Sequence, residues 1–256
     1  MEEVVLLEKK PKVASLYLNR PEAKNALNPE VFEKMLKLLI ELEKDNSVQV
    51  VVLEGQGDFF SSGADLKWMR EGKEFLKDGE LLFDLLYKIF TFQKVLISAV
   101  NGPAFGGALG FISASDFAIA KDGLKFAFSE VRLGIAPAII SPFVLNKVNF
   151  GWAKKYFLSG KAFSSIEGKE GGLFEEVFSN ETFEYEKNKI IEELLKGGPQ
   201  AQKKIKELFL FKKADEILKL KDFLCNTLLE LRSSKEGQEG LLAFFQKRSP
   251  KWQRES

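Results

Sequence analysis

Apolar and polar positions along the chain follow two periods, and the switches between them outline the architecture. Residues 4–8 and 13–18 are short apolar-rich runs around a turn at Lys10-Pro11, which predicts two strands. Asn28-Pro29 is an N-cap followed by proline at a first helical position. Val31, Met35, Leu38, Leu39 and Leu42 then recur at helical spacing to about Lys44. Residues 48–53 form a near-continuous β-branched run, as for a strand covered on both faces. A helical stripe follows at 81–92, and further strands are predicted at 95–100, 117–120 and 125–128. This alternation predicts an α/β fold. After Lys196-Gly197-Gly198-Pro199, a breaker, the texture becomes helical and Lys-rich. The chain therefore divides into a core, 1–196, and a C-terminal helical region, 197–256.

Two stretches share a plan. The strand run at 50–55 leads through residues 59–62 into Gly63-Ala64-Asp65-Leu66. The run at 95–100 leads through residues 101–105 into Gly106-Gly107-Ala108-Leu109-Gly110. Each reads as strand, small-residue turn, helix. A turn without side chains lets a ligand approach the backbone, and N–H groups at a helix start lack intrahelical partners. Two such turns could aim two donors at one oxygen, an oxyanion hole. Glycine pairs before helices also serve tight strand–helix packing, so the turns alone leave both readings open. The spacing is not G-x-G-x-x-G, which argues against a dinucleotide site.

Composition removes several chemistries. The chain of 256 residues has no histidine and one cysteine, Cys225. Ser-His-Asp and Cys-His nucleophile systems are excluded, as are His-ligated metals, a thiolate zinc site and an internal disulfide. Cys225 lies in an apolar helical pattern and is expected to be packed and inert. Proton transfer falls to Asp, Glu, Lys, Tyr or water. The charges nearly cancel, 38 Lys+Arg against 37 Asp+Glu, which argues against a nucleic-acid partner. The 24 phenylalanines suggest a core and interfaces built from large flat side chains. An acidic start, Met1-Glu2-Glu3, and the lack of a long unbroken apolar run predict a cytoplasmic protein without a membrane association.

Five motifs in order along the chain resemble the enoyl-CoA hydratase/isomerase (crotonase) superfamily. They are Asn19-Arg20-Pro21-Glu22-Ala23-Lys24-Asn25-Ala26-Leu27, Phe60-Ser61-Ser62-Gly63-Ala64-Asp65-Leu66, residues 101–110, Phe128-Ser129-Glu130-Val131-Arg132-Leu133-Gly134, and Glu236-Gly237-Gln238-Glu239-Gly240. The resemblance implies a spiral of ββα repeats with a C-terminal helical trimerisation region, in a homotrimer or a hexamer built as a dimer of trimers. It implies an acyl-CoA thioester as substrate, with CoA part of that substrate and no tightly bound cofactor or metal. By the same resemblance, Ala64 and Gly107 occupy the oxyanion-hole positions. Lys24, Ala26 and Leu27 match the segment along the adenine and phosphates, and Asp65, Leu66 and Lys67 continue it along the pantetheine. Phe244 and Lys247 match positions that reach CoA, in related proteins from a neighbouring subunit. Asp65 also suits a helix cap.

Well-known hydratases of the family use two glutamates. The first of these positions is Gly110 here and the second is Glu130, so the acid–base work is expected to fall on Glu130. Ile135, Ala136 and Ile139 could form an apolar wall that raises its pKa. The alternative for Glu130 is a surface carboxylate paired with Arg132. The detailed texture is most similar to bacterial hydratases of branched enoyl-CoAs, of the methylglutaconyl-CoA and isohexenylglutaconyl-CoA type. The reading is thus an enoyl-CoA hydratase with Glu130 as acid/base; a Δ3,Δ2-enoyl-CoA isomerase or a non-catalytic acyl-CoA binder are the alternatives.

Overall fold

The computed structural model describes residues 3–71 and 74–253. A six-stranded sheet carries the fold, in the order β1 (Val5–Lys10), β2 (Lys12–Leu18), β3 (Val48–Gly55), β4 (Val95–Val100), β6 (Phe117–Lys121) and β9 (Glu176–Phe178). The β1–β2 hairpin is antiparallel and every later pair is parallel. Parallel pairing requires crossovers, and helices cover the sheet accordingly, so β3 and β4 are buried almost throughout. A second, three-stranded sheet joins β5 (Ala104–Phe105), β7 (Lys125–Ala127) and β8 (Phe163–Ser164).

α1 (Pro29–Lys44) starts as its sequence predicts: the Asn28 side chain accepts from Val31 N–H at 3.0 Å, with Pro29 at the first helical position. Its buried face, Val31, Phe32, Met35, Leu38, Leu39 and Leu42, includes the whole apolar stripe. α2 (Leu66–Glu71) follows the first small-residue turn and α4 (Gly107–Ala114) the second. α3 (Phe75–Thr91) begins six residues before the apolar stripe at 81–92 suggests. Gly79 lies inside it, and a Cβ there would touch Ile139 Cδ1 at 3.4 Å, so a position that weakens a helical pattern serves a close approach.

Four further helices, α5 (Ser141–Lys147), α6 (Phe150–Ser159), α7 (Ser165–Glu170) and α8 (Phe183–Leu195), complete the chain up to the breaker. Beyond it come α9 (Pro199–Leu210), α10 (Lys213–Leu218), α11 (Lys221–Ser233) and α12 (Lys235–Phe245). These lie against the core. Lys206 of α9 reaches Asp116 at 2.5 Å, and Lys221 of α11 reaches Asp84 on α3 at 2.6 Å. α12 rests on the 3-10 helix Glu130–Leu133, where a Cβ on Gly240 would stand 2.2 Å from the Leu133 carbonyl oxygen. The Glu-Gly-Gln-Glu-Gly motif thus packs backbone on backbone. Cys225 is buried in α11, and burial pushes its thiol up to about 11. Among the described residues no helix is long and apolar enough to cross a membrane.

Candidate active site

The two small-residue turns meet. Ser61 and Ala104 form a parallel bridge: Ser61 N–H donates to Pro103 O at 3.3 Å and Phe105 N–H to Ser61 O at 3.1 Å. Three residues beyond this bridge lie Ala64 on one turn and Gly107 on the other, so equal spacing carries the pair to equivalent places. Gly63, at φ 86°, lies so close that a Cβ would stand 2.5 Å from the Phe105 carbonyl oxygen. A side chain there would drive the turns apart.

The Ala64 amide is turned outward by a second parallel bridge. Leu27 donates to Gly63 O and accepts from Asp65 N–H, both at 2.8 Å. In a parallel bridge both bonds belong to one partner, here Leu27, so the N–H of Ala64 faces the other way. Gly107 is the first residue of α4, where an N–H has no intrahelical acceptor. Among the described residues neither amide has a protein partner.

Ala64 and Gly107 both line a cavity of about 420 Å³, and Glu130 lines it with them. Gly106, at φ 52° and ψ −124°, places its α-carbon beneath the Glu130 carboxyl, so that a Cβ would stand 3.1 Å from Oε1. Glu130 opens the 3-10 turn after Ser129 rather than lying on a strand. Its Oε2 is sealed from solvent and has no hydrogen-bond partner. Ile135, Ala136 and Ile139 line the same cavity. Burial pushes the Glu130 carboxyl up to about 7, with a backbone hydrogen bond pulling back weakly. Arg132 makes no ion pair with it.

Position 110, on the buried side of α4, has no room for a second acid. A Cβ on Gly110 would stand 2.5 Å from Ile140 Cγ2 and 3.2 Å from Leu86 Cδ2. Glu130 is the cavity's sole carboxylate among the described residues.

The remaining sequence candidates divide. Leu66 and Phe244 line the cavity, the latter from α12 of the same chain. Asp65 caps α2: its Oδ1 accepts from Lys67 N–H at 3.1 Å, and its Oδ2 meets Arg20 Nη2 at 3.2 Å. Arg20 also donates to Ala26 O at 2.6 Å. Lys24 holds a left-handed conformation at φ 52°, with its ammonium 5.1 Å from the Phe59 ring. Leu27 supports Ala64 and does not line the cavity, and Lys67 is exposed on α2. Lys247, at φ 50°, lies just past α12 and also stays off the cavity. Trp68, Met69 and Phe75 complete the apolar lining. Sequence reasoning missed Leu82, which lies in none of the motifs, and Arg248, which is forked onto Glu239 at 2.5 and 3.0 Å.

Two outward amides beside one desolvated acid, on parallel crossovers, define a crotonase-type α/β protein. The chain belongs to the enoyl-CoA hydratase/isomerase family, whose model matches residues 8–255. It is 31% identical over 253 residues to the crotonyl-CoA hydratase of Syntrophomonas wolfei, covering 96% of each chain. It is 27% identical over 247 residues to the trans-2-decenoyl-acyl-carrier-protein isomerase of Streptococcus mutans, covering 94% of each. The crystal structure of an enoyl-CoA hydratase from Mycobacterium avium superposes with a TM-score of 0.89 at 29% identity, over 98% of this chain and 100% of that one. The protein is therefore an enzyme of this family, and membership implies an acyl-CoA thioester as its substrate.

Proposed function

We propose that the protein is an enoyl-CoA hydratase that adds water across the 2,3 double bond of a 2-enoyl-CoA, with a branched, methylglutaconyl-like acyl group as the favoured case. The observation that carries this reading is the Glu130 carboxyl, buried, unpartnered at Oε2 and held over Gly106 next to two free amides. Ionised Glu130 takes a proton from water as the water oxygen bonds to C3. The π electrons of the 2,3 bond shift to the thioester oxygen, and the N–H groups of Ala64 and Gly107 hold the enolate. Glu130 then returns the proton to C2, on the face from which the oxygen arrived. A pKa of about 7 suits a group that both accepts and donates. One donor of this kind contributes about 2.7–4 kcal/mol of transition-state stabilisation.

A second reading, Δ3,Δ2-enoyl-CoA isomerisation, is favoured by the filled space at Gly110, because moving one proton from C2 to C4 needs a single base. Incubation with a 2-enoyl-CoA and separately with a 3-enoyl-CoA separates the two. Loss of the conjugated thioester absorbance marks hydration, and its appearance marks isomerisation. Retention of turnover by Glu130→Gln would overturn either assignment.

Residues 197–256 form the oligomerising part in this reading, giving a homotrimer or a hexamer. What supports this is a run of exposed apolar side chains on α9 to α11, including Leu208, Phe209, Phe211 and Phe223, each at least 67% exposed. Light scattering of the purified protein tests it.

A further inference from the structure

The structure assigns Trp68 as the wall that ends the acyl pocket and selects short acyl chains, with Arg232 as the positioning residue that holds this wall. The inference deepens the hydratase reading and rests on its acyl-thioester substrate.

The cavity lining is of two kinds. Phe244, Arg248 and Arg132 are half-exposed or exposed. Trp68, Met69, Phe75, Leu82 and Ile139 form an apolar wall, of which all but Trp68 are buried. Those four belong to packed core clusters, so a longer chain finds room among them only by displacing the partly buried indole. The indole is fixed on three sides. It meets Phe32 of α1 edge-on at 5.8 Å, lies tilted against Phe75 at 5.1 Å, and donates its Nε1–H to Asp78 Oδ2 at 2.7 Å. An aromatic ring held by two rings and a charge-assisted hydrogen bond has little freedom to swing aside.

Trp68, Met69 and Phe75 belong to α2 and the first turn of α3, and α2 is a six-residue helix with little stability of its own. Arg232 of α11 joins the two pieces. Its Nε–H donates to the Met69 carbonyl, its Nη2 donates to the Arg70 carbonyl at 3.3 Å, and its guanidinium lies 4.2 Å from the centre of the Phe75 ring. One planar cation thus satisfies the carbonyls at the end of α2 and presses the aromatic that opens α3. Lysine cannot reproduce this, because an ammonium is not planar and cannot lie flat on the Phe75 ring while its donors reach both carbonyls.

The test compares the wild type with Trp68→Ala, Arg232→Ala and Arg232→Lys. It measures kcat/KM on crotonyl-CoA and trans-2-decenoyl-CoA, and the affinities of the unreactive butyryl-CoA and decanoyl-CoA by calorimetry. Trp68→Ala is expected to raise the long-to-short ratio by about tenfold or more, in both turnover and binding. Arg232→Ala is expected to shift the ratio the same way by about threefold, through KM more than kcat, and Arg232→Lys to behave like it. An unchanged ratio in Trp68→Ala, with both thioesters still bound, would overturn the wall. Loss of melting temperature in Arg232→Ala without a change in ratio, or full rescue by lysine, would overturn the positioning role. Absence of turnover in the wild type would instead sink the hydratase reading, while the binding ratios still judge the wall.

Discussion

Two regions of the molecule each take a glutamate out of water, and they treat it in opposite ways. On the sheet, Glu54 of β3 is buried but accepts two hydrogen bonds from Lys187 of α8, at 2.9 and 3.0 Å, and Lys187 also meets Glu184 at 2.7 Å. Burial pushes the Glu54 carboxyl up and the lysine pulls it back. In the cavity, Glu130 is half-buried as a residue but has its Oε2 sealed and no cation beside it, and it rises to about 7. Asp116, held by Lys206 at 2.5 Å, follows the Glu54 pattern. A buried charge without a partner costs several kcal/mol, so elsewhere this fold pairs its acids. The difference teaches that Glu130 is kept unpaired at a cost to stability, at a pKa that the proposed proton transfer near neutrality requires.

Removing each acid's distinguishing feature separates the regions most sharply. Glu130→Gln keeps the shape and loses the proton; kcat is expected to fall by about 10²–10⁴, or about 3–5 kcal/mol, with KM little changed, in steady-state assays. Lys187→Met strands Glu54 in the sheet. It is expected to cost about 3–5 kcal/mol of stability in denaturant titrations, while kcat per folded molecule stays at the wild-type value. The opposite pattern, with activity lost at Lys187 and stability lost at Glu130, would break the comparison.

The pH dependence is the next largest effect. Between pH 4.5 and about 7 the folded protein keeps the Glu130 proton that the unfolded chain has released. The stability this contributes is fully present below pH 4.5 and is lost as pH rises through about 7. Glu130→Gln escapes that loss, so from pH 5 to pH 8 it should gain on the wild type by on the order of 3 kcal/mol in chemical denaturation. In the proposed mechanism the ionised form is the catalytic one, so wild-type kcat/KM should rise with pH through about 7 and then level.

What was legible in the sequence was local. The α1 cap, the buried β3 and β4 runs and the two glycine turns are written within a few consecutive residues, and the structure has them there. Glu130 was legible through the family motif around it, whereas its isolation depends on which side chains fold over it. The strands β5, β8 and β9, two or three residues long, are too short to show an alternation. The filling of position 110 by Ile140, thirty residues away, and the strap from Arg232 to Met69 lie outside any window of periodicity. So does the packing of Gly240 on Leu133. These are properties of the packed chain, set by volumes that meet only after folding.

The smallest effect gives the finest test, because it uses one methyl group in two places. Gly106 and Gly123 both have positive φ, 52° and 74°. A Cβ at Gly123 would meet nothing within 4 Å, while at Gly106 it would stand 3.1 Å from Glu130 Oε1 and 3.5 Å from Cδ. Alanine is strained at either site by about 1–3 kcal/mol, and the more so at Gly106, whose ψ of −124° lies outside the left-handed helical region. At Gly106 it also pushes the carboxyl away from the Gly107 amide. Gly123→Ala should therefore lose stability with kcat unchanged, and Gly106→Ala should lose at least as much stability and about tenfold in kcat, near 1.4 kcal/mol. Equal kcat in the two variants would mean that the close seat of the carboxyl over Gly106 has no bearing on turnover, and that burial alone makes Glu130 competent.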